Sequence, residues 1–280
     1  MRDVLELGAM SETAAKSTVL ITGASSGIGA GLAREFSRRG FRVALVARRV
    51  AELEALAVQL RAAGGQASAH GGDVTKDGDV ARVVAELATA GIVPGIVVAN
   101  AGFGVVGNAQ KLTLADYQRQ FATNVEGVLR TFQETIGALR ETRGRFVIMG
   151  SVSGHVSMPG GSPYAMSKFA VRAFAEALHG DLKDTGVRVT LISPGFVQSD
   201  IRRVDNRGGL HPEVKDPLPA WLVMPTERAA RTMVNGILRG RREVVVTFHA
   251  KVIVFLARHF PRLLRFAMLK GVRARPEPKR

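Results

Sequence analysis

Short apolar runs rich in β-branched residues alternate along this chain with longer segments whose apolar residues recur at helical spacing, and that alternation constrains the fold most. The runs lie at residues 18–22 (TVLIT), 41–47, 66–70, 95–99, 144–150 and 187–193, with a last one at 243–248. Helical spacing marks Leu32, Ala33 and Phe36, then residues 53–63, 80–90, 112–132, 163–182 and 226–238. Strands separated by helices pair in parallel, so both faces of the sheet must be covered, and ligands collect at the carboxyl ends of the strands. The expectation is an α/β doubly wound parallel sheet in one domain over residues 18–248.

The first run leads directly into Gly23-Ala24-Ser25-Ser26-Gly27-Ile28-Gly29. Strand, glycine turn and helix in that order bring backbone N–H groups and a helix amino end up to a pyrophosphate, with glycine where a side chain would block the approach. A purely structural turn uses glycine as well, and the spacing here is G-x-x-x-G-x-G. The second strand ends about 20 residues past the last glycine, where such folds meet the adenosine ribose. An acid there would accept from a free ribose diol. Ala47, Arg48 and Arg49 stand there instead, which favours a 2′-phosphate and makes NADP(H) the expected cofactor. The alternative is a solvated arginine pair opening the next helix, although basic residues sit poorly at a helix amino end. Asp73 and Asn100 fall at two further strand ends.

Ser151 follows the fifth strand, and Tyr164 and Lys168 follow in a helical segment opening near Pro163, a residue suited to a first helical position. An i,i+4 spacing puts phenol and ammonium on one face. A phenol ionises near pH 10, so a proton shuttle at neutral pH needs its pKa lowered by roughly 2–3 units, or about 3–4 kcal/mol. An ammonium about 4 Å away contributes ~1 kcal/mol in bulk water and about 4 kcal/mol at an effective dielectric of ~20. The pair can therefore do chemistry only in a sheltered cleft, with Ser151 polarising a carbonyl while Tyr164 delivers a proton. On an open helix surface the same spacing is incidental. Asn124, inside the 112–132 segment, is unfavourable by helix propensity unless its side chain finds a nearby carbonyl.

Cysteine is absent, which removes disulfides and thiolate metal sites and favours a reducing compartment, so a cytoplasmic location is expected. Residues 1–17 mix Asp3, Glu6 and Glu12 among their apolar residues and read as a flexible leader rather than a signal peptide. No uncharged apolar run reaches the ~18 residues of a membrane span; the nearest, 244–256, is interrupted by His249 and Lys251. The net charge of +15 is uneven, with 12 Lys or Arg against Glu243 and Glu277 between residues 239 and 280.

Together these residues resemble the short-chain dehydrogenase/reductase family. The resemblance runs from about residue 18 to 248. It is carried by Thr22 with the glycine motif, Asp73-Val74, Asn100-Ala101-Gly102, Asn124, Ser151, Tyr164-x-x-x-Lys168 and Pro194-Gly195. It implies a Rossmann-type fold and an oxidoreductase interconverting a carbonyl and a secondary alcohol, with reduction the expected direction. Tyr164 would be the general acid/base, and Lys168 would lower its pKa and hold the nicotinamide ribose. Ser151 would orient the carbonyl, and Asn124 would hold a water linking Lys168 to solvent. The cofactor would lie on Gly23, Ser25, Ser26, Gly27, Ile28 and Gly29, with Arg48 at a basic position typical of NADP users. Asp73 and Val74 would face the adenine, and Asn100, Ala101 and Gly102 the adenosine side. Pro194, Gly195 and the backbone of Val197 would meet the carboxamide, and Ser199 stands where a cofactor-binding Thr is common. Family members tend to pair through the helices after Leu112 and Pro163, so a homodimer or homotetramer is expected.

Two segments fall outside the alternation. From 196 to 224 periodicity disappears amid Gly208, Gly209, Pro212, Pro217 and Pro219, and such a stretch at the ligand edge of a sheet reads as a substrate lid, with His211 a surface residue. Past residue 248, Leu263, Leu264, Phe266, Met268 and Leu269 interleave with Arg262, Arg265, Lys270 and Arg273. For residues 249–280 packing on the chain's own domain or a partner subunit, and peripheral membrane contact through 250–275, both stay open. Nucleic acid is not an expected partner, because no stacking platform or base-reading motif accompanies the charge. A hydrophobic carbonyl or alcohol substrate is expected. The alternative to an enzyme is a non-catalytic NADP(H)-binding interaction or sensor protein.

Overall fold

The computed structural model describes residues 17–211, 213–216, 218–264 and 266. The leader up to residue 16 and the tail expectations beyond 266 lie outside the described residues. Seven strands, β1 (Thr18–Thr22), β2 (Arg42–Ala47), β3 (Gln66–Gly71), β4 (Pro94–Ala99), β5 (Arg145–Met149), β6 (Arg188–Ser193) and β7 (Glu243–Val245), form one sheet. The order is β3-β2-β1-β4-β5-β6-β7 and every pairing is parallel. Helices connect them: α1 (Gly27–Arg38), α2 (Val50–Ala62), α3 (Asp79–Thr89), α4 (Leu114–Phe121), α5 (Gly127–Glu141), α6 (Ser162–Asp181) and α7 (Thr226–Leu238), with α8 (Phe248–His259) after β7.

Strand side chains alternate between two cores, which is why the runs are apolar almost throughout. Val19, Ile21, Val43 and Leu45 pack with Phe36, Leu53 and Met233 on the face covered by α1, α2 and α7. Leu20, Val97, Phe146 and Ile148 pack with Val83, Val128 and Val171 beneath α3, α5 and α6. On that face Phe132 stands edge-on to Phe146 at 5.2 Å and to Phe174 at 5.5 Å. Strand order reverses between β1 and β4, so the loops leaving these neighbours diverge and open a crevice at their carboxyl ends.

Two local expectations change. The helical pattern at 112–132 is divided into α4, a π-helical turn at Ala122–Glu126 and α5, which continues to Glu141. The π turn carries one residue more than an α-helical turn, and Asn124, within it, is fully buried. The run at 243–248 pairs only as far as Val245, because the Thr247 hydroxyl accepts from Ala250 N–H at 3.3 Å and caps α8. Thr226 is the first residue of α7. Its hydroxyl donates to Gln198 O at 2.6 Å and so ties that helix to the start of the lid.

Backbone approach at the crevice is close. A Cβ on Gly29 would overlap Gly23 O and stand 2.6 Å from Asn100 Nδ2, whereas one on Gly137 in α5 would meet nothing within 4 Å. Gly29→Ala is therefore expected to lower stability by about 1–3 kcal/mol, as overpacking does. Gly137→Ala should raise it by about 0.5–1 kcal/mol through helix propensity. Urea midpoints check both, and equal stability of Gly29→Ala and the parent would contradict the close approach.

Candidate active site

The crevice is a cleft of about 330 Å³. Of the site residues singled out in the sequence, Gly23, Ser25, Ser26, Gly27, Ile28, Gly29, Arg48, Asp73, Val74, Asn100, Ala101 and Gly102 line it, as do Ser151, Tyr164, Lys168, Pro194, Gly195, Val197 and Ser199. Asn124 does not reach its wall. Gly23 and Gly27 adopt left-handed φ of +66° and +54°, which glycine takes without strain. Asn100 joins the two sides of the cleft: Nδ2 donates to Thr22 O at 2.9 Å and Gly23 O at 3.1 Å, and its own N–H donates to the Thr22 hydroxyl at 3.1 Å. Both amide hydrogens of Asn100 are thus committed to the scaffold.

At the end of β2 the two arginines part. Arg48 is exposed, while Arg49 Nη2 donates to Ser25 Oγ at 2.9 Å and Ser26 Oγ at 2.7 Å. Those bonds bring a guanidinium over the glycine turn. Asp73 Oδ1 accepts from Thr75 N–H and hydroxyl, at 2.9 and 2.8 Å.

On the other side, the Asn124 side chain accepts from Phe103 N–H at 3.1 Å and donates to Phe103 O at 3.0 Å and Ser167 Oγ at 3.2 Å. Ser167 in turn donates to Tyr164 O at 2.7 Å. The Asn124 amide is therefore consumed in fixing the loop after β4 against α6. Ser151 Oγ accepts from Ser153 N–H at 3.1 Å, which leaves its hydrogen free to point into the cleft that Tyr164 also lines.

Lys168 is buried, and Nζ donates to Met149 O at 2.7 Å while standing 5.6 Å from the Tyr164 ring centroid. Burial pushes its ammonium down to about 8. Burial likewise pushes the Tyr164 phenol above its ordinary value, against smaller opposing effects of the Ser151 hydrogen bond and the Arg202 charge. Desolvation outweighs the attraction, and the cation acting on Tyr164 belongs to the lid.

Sequence reasoning missed Arg202, which carries no motif signal. Its guanidinium grips Asp216 through Nε at 2.8 Å and Nη2 at 2.5 Å and donates to Val197 O at 3.3 Å. The lid is pinned elsewhere too: Asn206 Nδ2 donates to Val106 O at 2.8 Å and Oδ1 accepts from Val106 N–H at 3.0 Å. His211 is exposed and pairs with Asp205 and Glu213 at 3.0 and 3.1 Å. Phe103, Ile201, Val204 and Leu210 add apolar surface to the cleft wall.

Residues 17–208 match the short chain dehydrogenase family. An uncharacterized oxidoreductase of Myxococcus xanthus (strain DK1622) is 37% identical over 258 residues, 91% of this chain and 97% of that one. The structure of a short-chain dehydrogenase from Sphingobium yanoikuyae in complex with NADPH superposes with a TM-score of 0.73 at 28% identity, covering 94% of this chain and 98% of the other. A short-chain dehydrogenase/reductase from Burkholderia phymatum in complex with NAD shares the fold at a TM-score of 0.77 and 22% identity, with the same coverage.

The buried ammonium has a measurable consequence. In the unfolded chain Lys168 keeps its proton to about pH 10.4, in the fold only to about 8. Between those values the unfolded state binds more protons, so this group's contribution to stability rises with pH across that window. The stability difference between the parent and Lys168→Met should move in the parent's favour by about 3 kcal/mol from below pH 8 to above pH 10. Denaturant unfolding at a series of pH values measures it, and a difference that does not change with pH would rule out the buried charge.

Proposed function

The chain belongs to the short-chain dehydrogenase family, and from that premise we propose an NADPH-dependent oxidoreductase that interconverts a carbonyl and a secondary alcohol on a lipophilic substrate, with Tyr164 as general acid/base. The observation that carries this reading is that Ser151, Tyr164 and Lys168 share one cleft with the glycine turn.

The cleft suits such a cofactor. Gly29 leaves no room for a Cβ, and Arg49 already rests on Ser25 and Ser26. When bound, NADPH supplies the hydride. Gly23, Ser25, Ser26, Gly27, Ile28 and Gly29 offer backbone N–H groups to the pyrophosphate, and Arg48 and Arg49 meet the 2′-phosphate. Asp73 and Val74 flank the adenine, Ala101 and Gly102 line the adenosine side, and Pro194, Gly195, Val197 and Ser199 receive the carboxamide end. Lys168 has two N–H groups left for the ribose hydroxyls once Met149 O has taken one.

Ser151 donates its hydroxyl hydrogen to the substrate carbonyl oxygen, and Tyr164 gives that oxygen its proton. Asn124, its amide spent on Phe103 and Ser167, holds the loop after β4 against the helix that carries Tyr164 and Lys168. A phenol with a raised pKa is held as the proton donor at neutral pH, which favours reduction; alcohol oxidation needs the phenolate and gains as pH rises. Phe103, Ile201, Val204 and Leu210 favour an apolar substrate. Leu114, Met166 and Phe169, exposed on α4 and α6, would be covered in a homo-oligomer built on those helices.

A screen of ketones from small polar to long-chain and steroidal, followed by NADPH absorbance, supplies the assay. Tyr164→Phe should then keep NADPH affinity while losing at least about 10²-fold in kcat/KM. Undiminished kcat/KM would remove Tyr164 as the general acid/base, whereas NADPH binding with no turnover of any ketone by the parent would leave a nucleotide-binding sensor as the better reading. The cofactor choice rests on the arginines, since solved neighbours carry NADPH in one case and NAD in another. In fluorescence titrations NADPH should bind more tightly than NADH, and Arg49→Ala should remove the preference; tighter NADH binding by the parent overturns it.

A further inference from the structure

Helix α8 turns toward solvent the face that a globular protein ordinarily buries. Phe248, Val252, Phe255 and His259 form one stripe at i, i+4, i+7 and i+11. Phe248 is 80% and Phe255 55% exposed, while Ala250 and Val254 face the domain. The pattern continues past the helix, with Phe260 51% and Leu263 59% exposed and Leu264 turned inward. The rings adjoin, Phe255 lying 4.6 Å from the His259 ring and 6.2 Å from that of Phe260, so the apolar surface is continuous rather than scattered.

Cations border it. Lys251 and Arg258 lie seven residues apart along one flank of the stripe, and Arg262 follows; all three are exposed. From 248 to 280 the sequence carries Lys251, Arg258, Arg262, Arg265, Lys270, Arg273, Arg275, Lys279 and Arg280 against Glu277 alone. A second copy of the chain seated two-fold on this face would set that charge against itself, whereas an anionic surface complements it. No helix among the described residues is long and apolar enough to cross a membrane.

We propose that α8 and the residues following it form a docking surface for an anionic phospholipid bilayer. Phe248, Phe255, Phe260 and Leu263 enter the headgroup–acyl boundary, and Lys251 and Arg262 meet phosphates. The surface adjoins the cleft. His249 Nε2 accepts from Phe196 N–H at 3.0 Å, its ring stacks on Phe196 at 5.0 Å, and a Cβ on Gly195 would strike Thr247 Oγ1. The proposal does not depend on the oxidoreductase reading, because its test is binding alone.

Full-length protein is co-sedimented with phosphatidylcholine vesicles and with phosphatidylcholine vesicles containing phosphatidylglycerol, over a range of salt. Two exposed double variants accompany it, Phe248→Ser with Phe255→Ser and Lys251→Glu with Arg262→Glu, each checked for an unchanged thermal midpoint. Binding at least about tenfold tighter to the phosphatidylglycerol vesicles, weakening with salt and falling about tenfold or more in each variant, is expected. Equal recovery from both vesicle types, or pellets no richer than without vesicles, overturns the proposal. So does a dimer by light scattering that the phenylalanine variant converts to monomer, which would assign the face to a second copy.

Discussion

The close approach between the glycine turn after β1 and the loop after β4 is the constraint on which the site depends. Asn100 spends its amide on Thr22 O and Gly23 O, and the Thr22 hydroxyl accepts from Asn100 and Ala101 N–H. From there a chain of bonds continues to the far wall: Phe103 to Asn124, Asn124 to Ser167, Ser167 to Tyr164 O. Each link is buried or partly buried, so breaking one leaves a polar group without water to replace its partner. Position in the cleft is thus transmitted from the first strand to the helix that carries the phenol.

Desolvation is the largest influence on the two titratable groups in that cleft. Burial moves Tyr164 up and Lys168 down, so each is pushed toward its neutral form. A phenol and an amine driven in opposite directions are suited to giving and holding protons in one site, which is the pattern of groups set apart by their environments. Such groups destabilise the fold that carries them, and the hydrogen bond to Met149 O offsets only part of that cost.

The region beyond β6 is built into the site. Glu243 in β7 is held down to about 2 although desolvation alone would raise it, because His155, Arg258 and Ser193 all bond to it. His155 follows the Ser151 turn, Ser193 ends β6 and Arg258 belongs to α8. One carboxylate therefore fastens the last helix to the segments beside Ser151 and Pro194, and His249 fastens it to Phe196, next to Gly195 and Val197. Movement of α8 would be felt at the segment expected to meet the carboxamide.

Much of the fold was legible because it follows from local pattern: β-branched runs, helical periods and glycine at turns identify a parallel sheet and the loops that must line its crevice. The polar residues at those loops could be named for the same reason, since strand ends are marked in the chain. The pattern failed where packing decides between local options, as in the π turn around Asn124 and in the strand that stops at Val245 so that Thr247 can cap α8. It also failed to single out Arg49, which reaches Ser25 and Ser26, or Arg202, whose partners Asp216 and Val197 lie in an aperiodic lid. Sequence by itself determined the architecture and the inventory of groups at the cleft, because those depend on neighbours within a few residues. Only the tertiary structure decided which hydrogen bonds those groups spend, how far burial shifts the phenol and the ammonium, and which face of the last helix is left in water, because each depends on residues brought together from distant parts of the chain.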